Sequence, residues 1–222
     1  MKRGHKMIIF TSLSDVLIKG VEETEKLVRS CYGDKVGFEY SKRLDKTRPE
    51  FEQLLRGEIT EDAYWKTVLD NQNWPFGLRD IKKILSATLK ESIPGVMGVI
   101  QDIKSFPSRL PACNAEQIYG SPEVCLISNH IMERMEEIKS YHPKVFKTCN
   151  KSFWSCEMSS IASDDGFFKS ILKINDLSPN EAIYIDVNPF NTTAAVLSGI
   201  TSIIYTTPSR LKKSLMEYSF SF

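Results

Sequence analysis

The chain has 222 residues, which at roughly 150 residues per domain corresponds to about one and a half domains. Its 41% hydrophobic and 26% charged residues exclude bulk disorder. Twenty-nine Lys and Arg against 28 Asp and Glu leave a net charge of +1, which excludes the basic footprint of a nucleic-acid or anionic-membrane binder.

The five cysteines (Cys31, Cys113, Cys125, Cys149, Cys156) are an odd number with no CxxC pair. They read as reduced thiols rather than a zinc site or a disulfide framework. The opening residues have a charged stretch before an apolar run, as a secretory leader would. Ser12, Ser14 and Asp15 break that run, and no small-residue cleavage site follows. No segment reaches the roughly 20 apolar residues that span a bilayer. The expectation is a cytoplasmic protein without a membrane or nucleic-acid partner.

Met7-Ile8-Ile9-Phe10 predicts a buried strand ending in small polar residues. From Val21 to about Leu69, apolar residues recur at three- and four-residue intervals among dense charge, which predicts helices. Thr60-Glu61-Asp62 supplies a helix cap and an acidic first turn. Tyr64 and Trp65 are expected in the core of that helical segment. Pro75 and Gly77 interrupt the pattern; helices are predicted over Ile81–Leu89 and from Pro94-Gly95 to about Lys104. Ser105 to Glu123, with three prolines and a glycine, predicts an irregular surface loop. Val124 to Ile127 predicts a second strand, ending in Ser128-Asn129, and an amphipathic helix carrying Ile131, Met135 and Ile138 follows. Val145-Phe146 reads as a short strand. A helix over Phe167–Ile174, capped by Asp164-Asp165, precedes a strand over Ala182–Asp186. A helix over Thr193–Leu197 stops at Gly199, and Thr201 to Tyr205 predicts the last strand.

Strands alternating with helices specify parallel pairing through right-handed crossovers. The fold class is α/β, a Rossmann-like doubly wound parallel sheet with an inserted α-helical cap. The expected boundaries are 1–18 and 91–222 for the core and 19–90 for the cap. In such sheets ligands sit beyond the carboxyl ends of the strands, where this chain carries Ser12, Ser128-Asn129 and Asp186.

Four segments, in order, resemble the motifs of the haloacid dehalogenase (HAD) superfamily, in its subgroup with a helical cap after the first strand. Thr11 to Ile18 falls where that family has a strand-terminal DxDG(V/T)L. Leu126-Ile127-Ser128-Asn129-His130 matches its strand ending in Ser-Asn. Glu157 to Phe168 lies where relatives carry Lys-Pro-Asp-Pro before a helix. Ile185 to Asn191 matches the segment that opens with an Asp-Asp pair. Leu55 to Thr60 and the turn Ile93 to Val96 extend a resemblance that covers about residues 7 to 207.

The resemblance implies a nucleophilic Asp, a second Asp acting as acid and base, a Lys that neutralises phosphate, and an acidic pair that helps hold Mg²⁺. Here those positions are Ser12, Ser14, Ala162 and Asp186-Val187. A serine hydroxyl without an activating base is a poor nucleophile. One lost electrostatic partner in such a site typically costs about 2.7–4 kcal/mol. Asp15 in a shifted register would leave the strand end, and His130 suits a surface or helix-capping role better than that of a base. Trp154 reads as packing.

The expected function is therefore that of a pseudo-hydrolase with no intact catalytic residue, acting by binding or scaffolding. The alternative is a Mg²⁺-dependent hydrolase of a small phosphorylated metabolite with a rearranged site. No cofactor is expected unless the protein is active, in which case Asp186 is the vestigial metal ligand. Ser128 and Asn129, before a helix N-terminus, are the expected anion site for weak phosphate or sulfate binding. A protein partner could dock on the 105–123 insertion.

Overall fold

The computed structural model describes residues 7–20, 48–72, 76–105 and 121–217. Five strands form one sheet: β1 (Ile8–Ser12), β2 (Glu123–Ser128), β3 (Lys151–Trp154), β4 (Ala182–Asp186) and β5 (Thr201–Ile204). Their order is β3-β2-β1-β4-β5, and every pairing is parallel. β1 sits at the centre, paired with β2 on one side and β4 on the other, and both of its faces are covered. Ile8, Ile9 and Phe10 are all fully buried, which a continuous apolar run allows and an alternating one does not.

Side-chain alternation sends neighbouring residues of one strand to opposite faces. Ile9, Val124, Leu126, Ile183 and Ile185 join one core cluster. Ile8, Phe10, Cys125, Ile127 and Tyr184 join the other. The first face is covered by α4 (Val96–Ser105), α5 (Met135–Tyr141), α6 (Pro143–Thr148), the short α7 (Ser155–Met158) and α10 (Pro208–Glu217). The second is covered by α8 (Phe167–Asn175) and α9 (Pro189–Leu197). The sheet is thus doubly wound, with the helical cap inserted between β1 and β2.

The described part of that insertion holds α1 (Arg48–Leu55), α2 (Glu61–Gln72) and α3 (Leu78–Thr88). Their inward faces form a separate cluster around Leu54, Tyr64, Trp65, Val68, Ile81 and Ile84, with Trp65 only 1% exposed. Thr60 Oγ1 accepts from the Ala63 amide at 3.2 Å, as its place before an acidic first turn predicts. The chain enters and leaves the insertion through paired backbone: Lys19 N donates to Glu91 O at 2.7 Å and Ile93 N to Leu17 O at 2.9 Å.

Three sequence expectations are corrected. Val145-Phe146 lies in α6, started by Pro143 at its first turn, and the strand expected there is Lys151–Trp154 instead. The helix expected directly after Asn129 begins as a 3₁₀ turn over Met132–Arg134, with α5 only from Met135. Asp164-Asp165 does not cap α8, whose N-cap is Gly166 at φ +90° without a side-chain bond. The helical reading of 21–47, Pro75, most of the 105–123 loop, Cys31 and Cys113 lie outside the described residues. Cys125, Cys149 and Cys156 are free thiols, and burial pushes that of Cys149 up to about 12.

Candidate functional site

Beyond the carboxyl ends of β1, β2 and β4 lies a cavity of about 260 Å³. Ser12, Ser128, Asn129, Ala162 and Asp186 line its floor, so the strand-end residues singled out in the sequence do converge. Ser14 lines it as well.

β1 ends in a single helical turn. Leu17 N and Ile18 N both donate to Leu13 O, at 2.9 and 3.1 Å, and Asp15 N donates to Ile18 O at 2.8 Å. Asp15 takes φ +63°, a left-handed conformation that suits glycine and matches the glycine of the DxDG pattern. Its carboxylate is turned against Gly20, where a Cβ would lie 2.2 Å from Asp15 Oδ1. Asp15 therefore lies past the strand end, in the turn that follows it. The Ser12 hydroxyl donates to the Ser14 carbonyl at 3.3 Å; its bond runs to an acceptor of the turn, not to a base.

His130 serves the backbone. Its Nδ1 accepts from the Ile131 amide at 2.9 Å, so the neutral ring carries its proton on Nε2. Burial, with the nearby Arg134 charge, lowers its pKa to about 4. The Asn129 side-chain oxygen accepts from Ala162 N at 2.9 Å, tying the end of β2 to the loop before α8. Ser128 is 3% exposed, and among the described residues its hydroxyl has no hydrogen-bond partner.

Asp186 is 2% exposed and receives three donors. The Tyr184 hydroxyl and the Asn191 amide at 2.8 Å both reach Oδ2, while Asn188 N reaches Oδ1 at 3.0 Å. Burial and the Asp186 charge hold the Tyr184 phenol well above its ordinary pKa, so it stays a donor. Mg²⁺ requires near-octahedral oxygen ligands from one or two open carboxylates. Both lone pairs of Asp186 Oδ2 are engaged, and Ser12 offers only a hydroxyl. Among the described residues no group of three His, Cys, Asp or Glu converges to hold a metal. The residues present do not fit Mg²⁺.

The cap is pinned over the cavity. Arg56, after α1, grips Asp164 through Nε–Oδ2 at 3.1 Å and Nη2–Oδ1 at 2.6 Å. Asp164 Oδ2 also accepts from Ile161 N and the Ser160 hydroxyl. Burial opposes ionisation there, but the Arg56 bonds outweigh it and hold the carboxyl below its usual range. Arg134 reaches Glu61, Ser86 and Glu137. The Ser155 hydroxyl donates to Leu55 O at 2.6 Å while accepting from His130 N at 3.0 Å. Trp154 is buried and stacks on Phe146 at 6.1 Å, which is packing, as expected.

Sequence reasoning missed Tyr184, Asn191, Lys19 and Arg134 as lining residues. Tyr184 could have been found, since two residues before Asp186 on a strand is the same face. Nothing local marks Arg134.

No protein-family model matches the chain, and no curated protein matches it. Solved structures do. A predicted HAD-like family hydrolase of Porphyromonas gingivalis is similar over 96% of this chain and 97% of its own, with TM-score 0.69 and 13% identity. A HAD family enzyme of Bacteroides thetaiotaomicron, in complex with magnesium and inorganic phosphate, is similar over 90% of this chain and 94% of its own (TM-score 0.63, 15% identity). L-2-haloacid dehalogenase of Xanthobacter autotrophicus, with chloropropionic acid covalently bound, is similar over 98% and 85% (TM-score 0.63, 9% identity). The chain has the HAD-like hydrolase fold. No helix among the described residues is long and apolar enough to cross a membrane.

Proposed function

We propose that this protein uses the HAD-like fold to bind a small ligand at the strand-end cavity and does not carry out the family's aspartyl chemistry. One observation carries this reading. The single remaining acid at the metal position, Asp186, already accepts from Tyr184, Asn191 and the Asn188 amide, with both lone pairs of Oδ2 engaged. With Ser12 and Ser14 in place of both working carboxylates, the described strand end offers neither the aspartyl nucleophile nor the acidic partner that would help Asp186 hold an activating metal. Ala162, 1% exposed, adds no charge where a phosphate would sit. The division into core 1–18 and 91–222 and cap 19–90 belongs to the same proposal, supported by the paired backbone at residues 17–19 and 91–93.

Ser128 supplies the anion contact in this reading. Its buried hydroxyl lacks a partner among the described residues, which costs free energy until an acceptor arrives. The helix expected to assist through its dipole begins later than expected, because a 3₁₀ turn follows Ile131 and α5 starts only at Met135. Phosphate or sulfate should therefore bind weakly, on the order of millimolar, or about 4 kcal/mol.

Thermal denaturation with and without Mg²⁺ and beryllofluoride tests the reading, since a ligand that binds the folded state raises its melting temperature. The expected result is no shift. A clear stabilisation, with Mg²⁺-dependent turnover of p-nitrophenyl phosphate that is lost on changing Ser12 or Asp15, would instead support the rearranged-site hydrolase.

A further inference from the structure

The two edges of the sheet differ in how they meet solvent. At one edge β3 opens with Lys151, exposed and bonded to Asn175 at 3.0 Å. A lysine on an edge strand keeps a further strand away. At the other edge, the extended run from Thr201 to Thr207 holds no charged residue and no proline. Tyr205 N donates inward to Asp186 O at 2.8 Å. Alternation along the strand therefore turns the peptide groups of Ser202 and Ile204 outward, where no strand among the described residues pairs with them.

The helices beside this edge carry matching features. On the second face of the sheet α9 packs over β4 and β5, and no residue from Pro189 to Leu197 is charged. Ala195 faces the sheet, and the flank towards α8 carries the half-buried Ala194. Val196, two residues further and so about 200° round the helix, lies on the opposite flank, which looks past β5. Val196, Leu197 and Ile204 are each more than half exposed. In a chain with 26% charged residues, an uncharged apolar margin of this kind marks an interaction site. On the first face α10 is tied to α4, its neighbour towards the sheet centre, by Lys212 Nζ to Asp102 Oδ2 at 3.3 Å. Leu211 and Leu215 face the core. The flank away from α4 carries Arg210 in the first turn and Glu217 in the last, about 160° and 140° round from Lys212. Both are exposed, and neither forms an ion pair among the described residues.

We infer that this edge is an interface between two copies of the chain, in which β5 pairs antiparallel with β5 about a twofold axis normal to the sheet. The two five-stranded sheets then continue as one. Charge selects a second copy over another extended partner. A twofold lays the same surface on itself, and because β5 and the α9 margin are uncharged, no like charges meet there. The same axis runs α10 antiparallel to its mate, which sets Arg210 opposite Glu217 of the partner subunit, twice over. An unrelated strand added to β5 would cover the edge and leave both charges unpaired. The inference does not depend on what the cavity binds.

Sedimentation equilibrium and light scattering of the full chain, from low to several hundred micromolar, test this. The wild type is expected to form a reversible dimer and nothing larger, since the pairing uses both β5 edges. Ile204→Lys sets like charges against each other at the axis and should weaken the dimer by more than about tenfold. Lys151→Glu, at the opposite edge, should leave it unchanged. Arg210→Glu should weaken it by roughly fivefold, through loss of two exposed ion pairs, and adding Glu217→Arg should restore the wild-type affinity. Circular dichroism checks that each variant is folded; if Ile204→Lys is not, the charge-exchange series still decides. A monomer throughout the range would overturn the inference and leave the edge to a partner of another kind. A dimer that Ile204→Lys leaves intact would overturn it by placing the interface elsewhere. Loss on Arg210→Glu without rescue by Glu217→Arg would overturn the antiparallel twofold, and assembly beyond the dimer would overturn its closure.

Discussion

Glu61 and Arg134 form a buried ion pair that joins the first turn of α2 in the cap to the segment after β2 in the core. Arg134 Nε and Nη2 both reach Glu61 Oε1, at 2.9 and 2.7 Å, with side-chain exposures of 7% and 3%. Nη1 goes to Ser86 and Glu137, both at 2.7 Å, and the Glu61 amide donates to Glu133 at 3.1 Å. Burial works against the guanidinium charge, but the bonds to Glu61 and Glu137 outweigh it and raise its pKa. The pair fixes the cap to the edge of the cavity that Arg134 itself lines.

Removing one member leaves the other charged and buried. Breaking such a pair typically costs about 3–5 kcal/mol. Because Glu137 still faces Arg134, Glu61→Ala should cost about 3 kcal/mol, near the lower end of that range, measured by urea denaturation. Amide exchange should quicken first in α2 and α3 if the pair seats the cap. A loss below about 1 kcal/mol would show that the pair contributes no more than an exposed one.

Gly57 gives a second, backbone test of how the cap is seated. It has φ +73°, and a Cβ there would lie 3.0 Å from the Cys156 carbonyl. Left-handed backbone costs a residue with a Cβ about 1–2 kcal/mol, and the contact adds to that. Gly57→Ala should destabilise by about 2 kcal/mol and loosen the Arg56–Asp164 bonds beside it. The readout is the melting temperature together with the pH at which the Asp164 carboxyl titrates. In the wild type that pH lies below the usual carboxylate range, and it should rise in the variant.

What the sequence made legible follows from range of interaction. Strands β1, β2 and β4 are continuous apolar runs because helices cover both faces of the central sheet, and that constraint acts on adjacent residues. β3 escaped notice because it is an edge strand. Lys151 is exposed, Ser152 and Phe153 are half-buried, and only Trp154 is fully packed, so no run marks it. Val145-Phe146 misled because two apolar residues carry no period, whereas the preceding Pro143 is a helix-start signal. At the site, the substitutions at 12, 14 and 162 stand in the sequence itself. The engagement of Asp186 was half legible through Tyr184 on the same strand face. The cap-to-core bonds were not, since Arg134–Glu61 and Arg56–Asp164 join residues 73 and 108 apart.

His130 should make stability depend on pH in a defined window. Unfolded histidine takes up its proton near pH 6.5, while the folded ring, half-buried and near the Arg134 charge, does so only at about 4. As pH falls from about 6.5 to about 4, the unfolded state binds a proton that the folded state does not, so folding stability declines. The limiting slope is about 1.4 kcal/mol per pH unit; above pH 6.5 the group contributes no slope. Glu137 and Asp164, both shifted down, lose their contributions from about pH 5 downward, so the measurements stop at pH 5.0. Urea titrations at pH 7.5, 6.5, 5.5 and 5.0 on the wild type and on His130→Asn should show a slope in the first and a flatter line in the second. Parallel curves would mean that the ring is protonated in the folded protein.

The last prediction concerns what stands between this site and metal binding. Restoring both carboxylates by Ser12→Asp and Ser14→Asp should give no turnover of p-nitrophenyl phosphate and no Mg²⁺-dependent rise in melting temperature. The new acids would face an Asp186 whose Oδ2 is already filled by the Tyr184 hydroxyl and the Asn191 amide. Adding Tyr184→Phe removes one of those two donors while keeping the ring that packs on Phe168 at 4.8 Å. Oδ2 then has an open lone pair beside two introduced carboxylates, which satisfies the charge and oxygen requirement of Mg²⁺. The triple variant should therefore gain a Mg²⁺-dependent increase in melting temperature that the double variant lacks. Turnover should still fail in both, because Ala162 leaves the phosphate charge without a partner. Equal Mg²⁺ stabilisation of the double and triple variants would show that the Tyr184 hydroxyl does not close the site. Absence of stabilisation in both, with the folds intact, would place the barrier at Asn191 and the Asn188 amide instead.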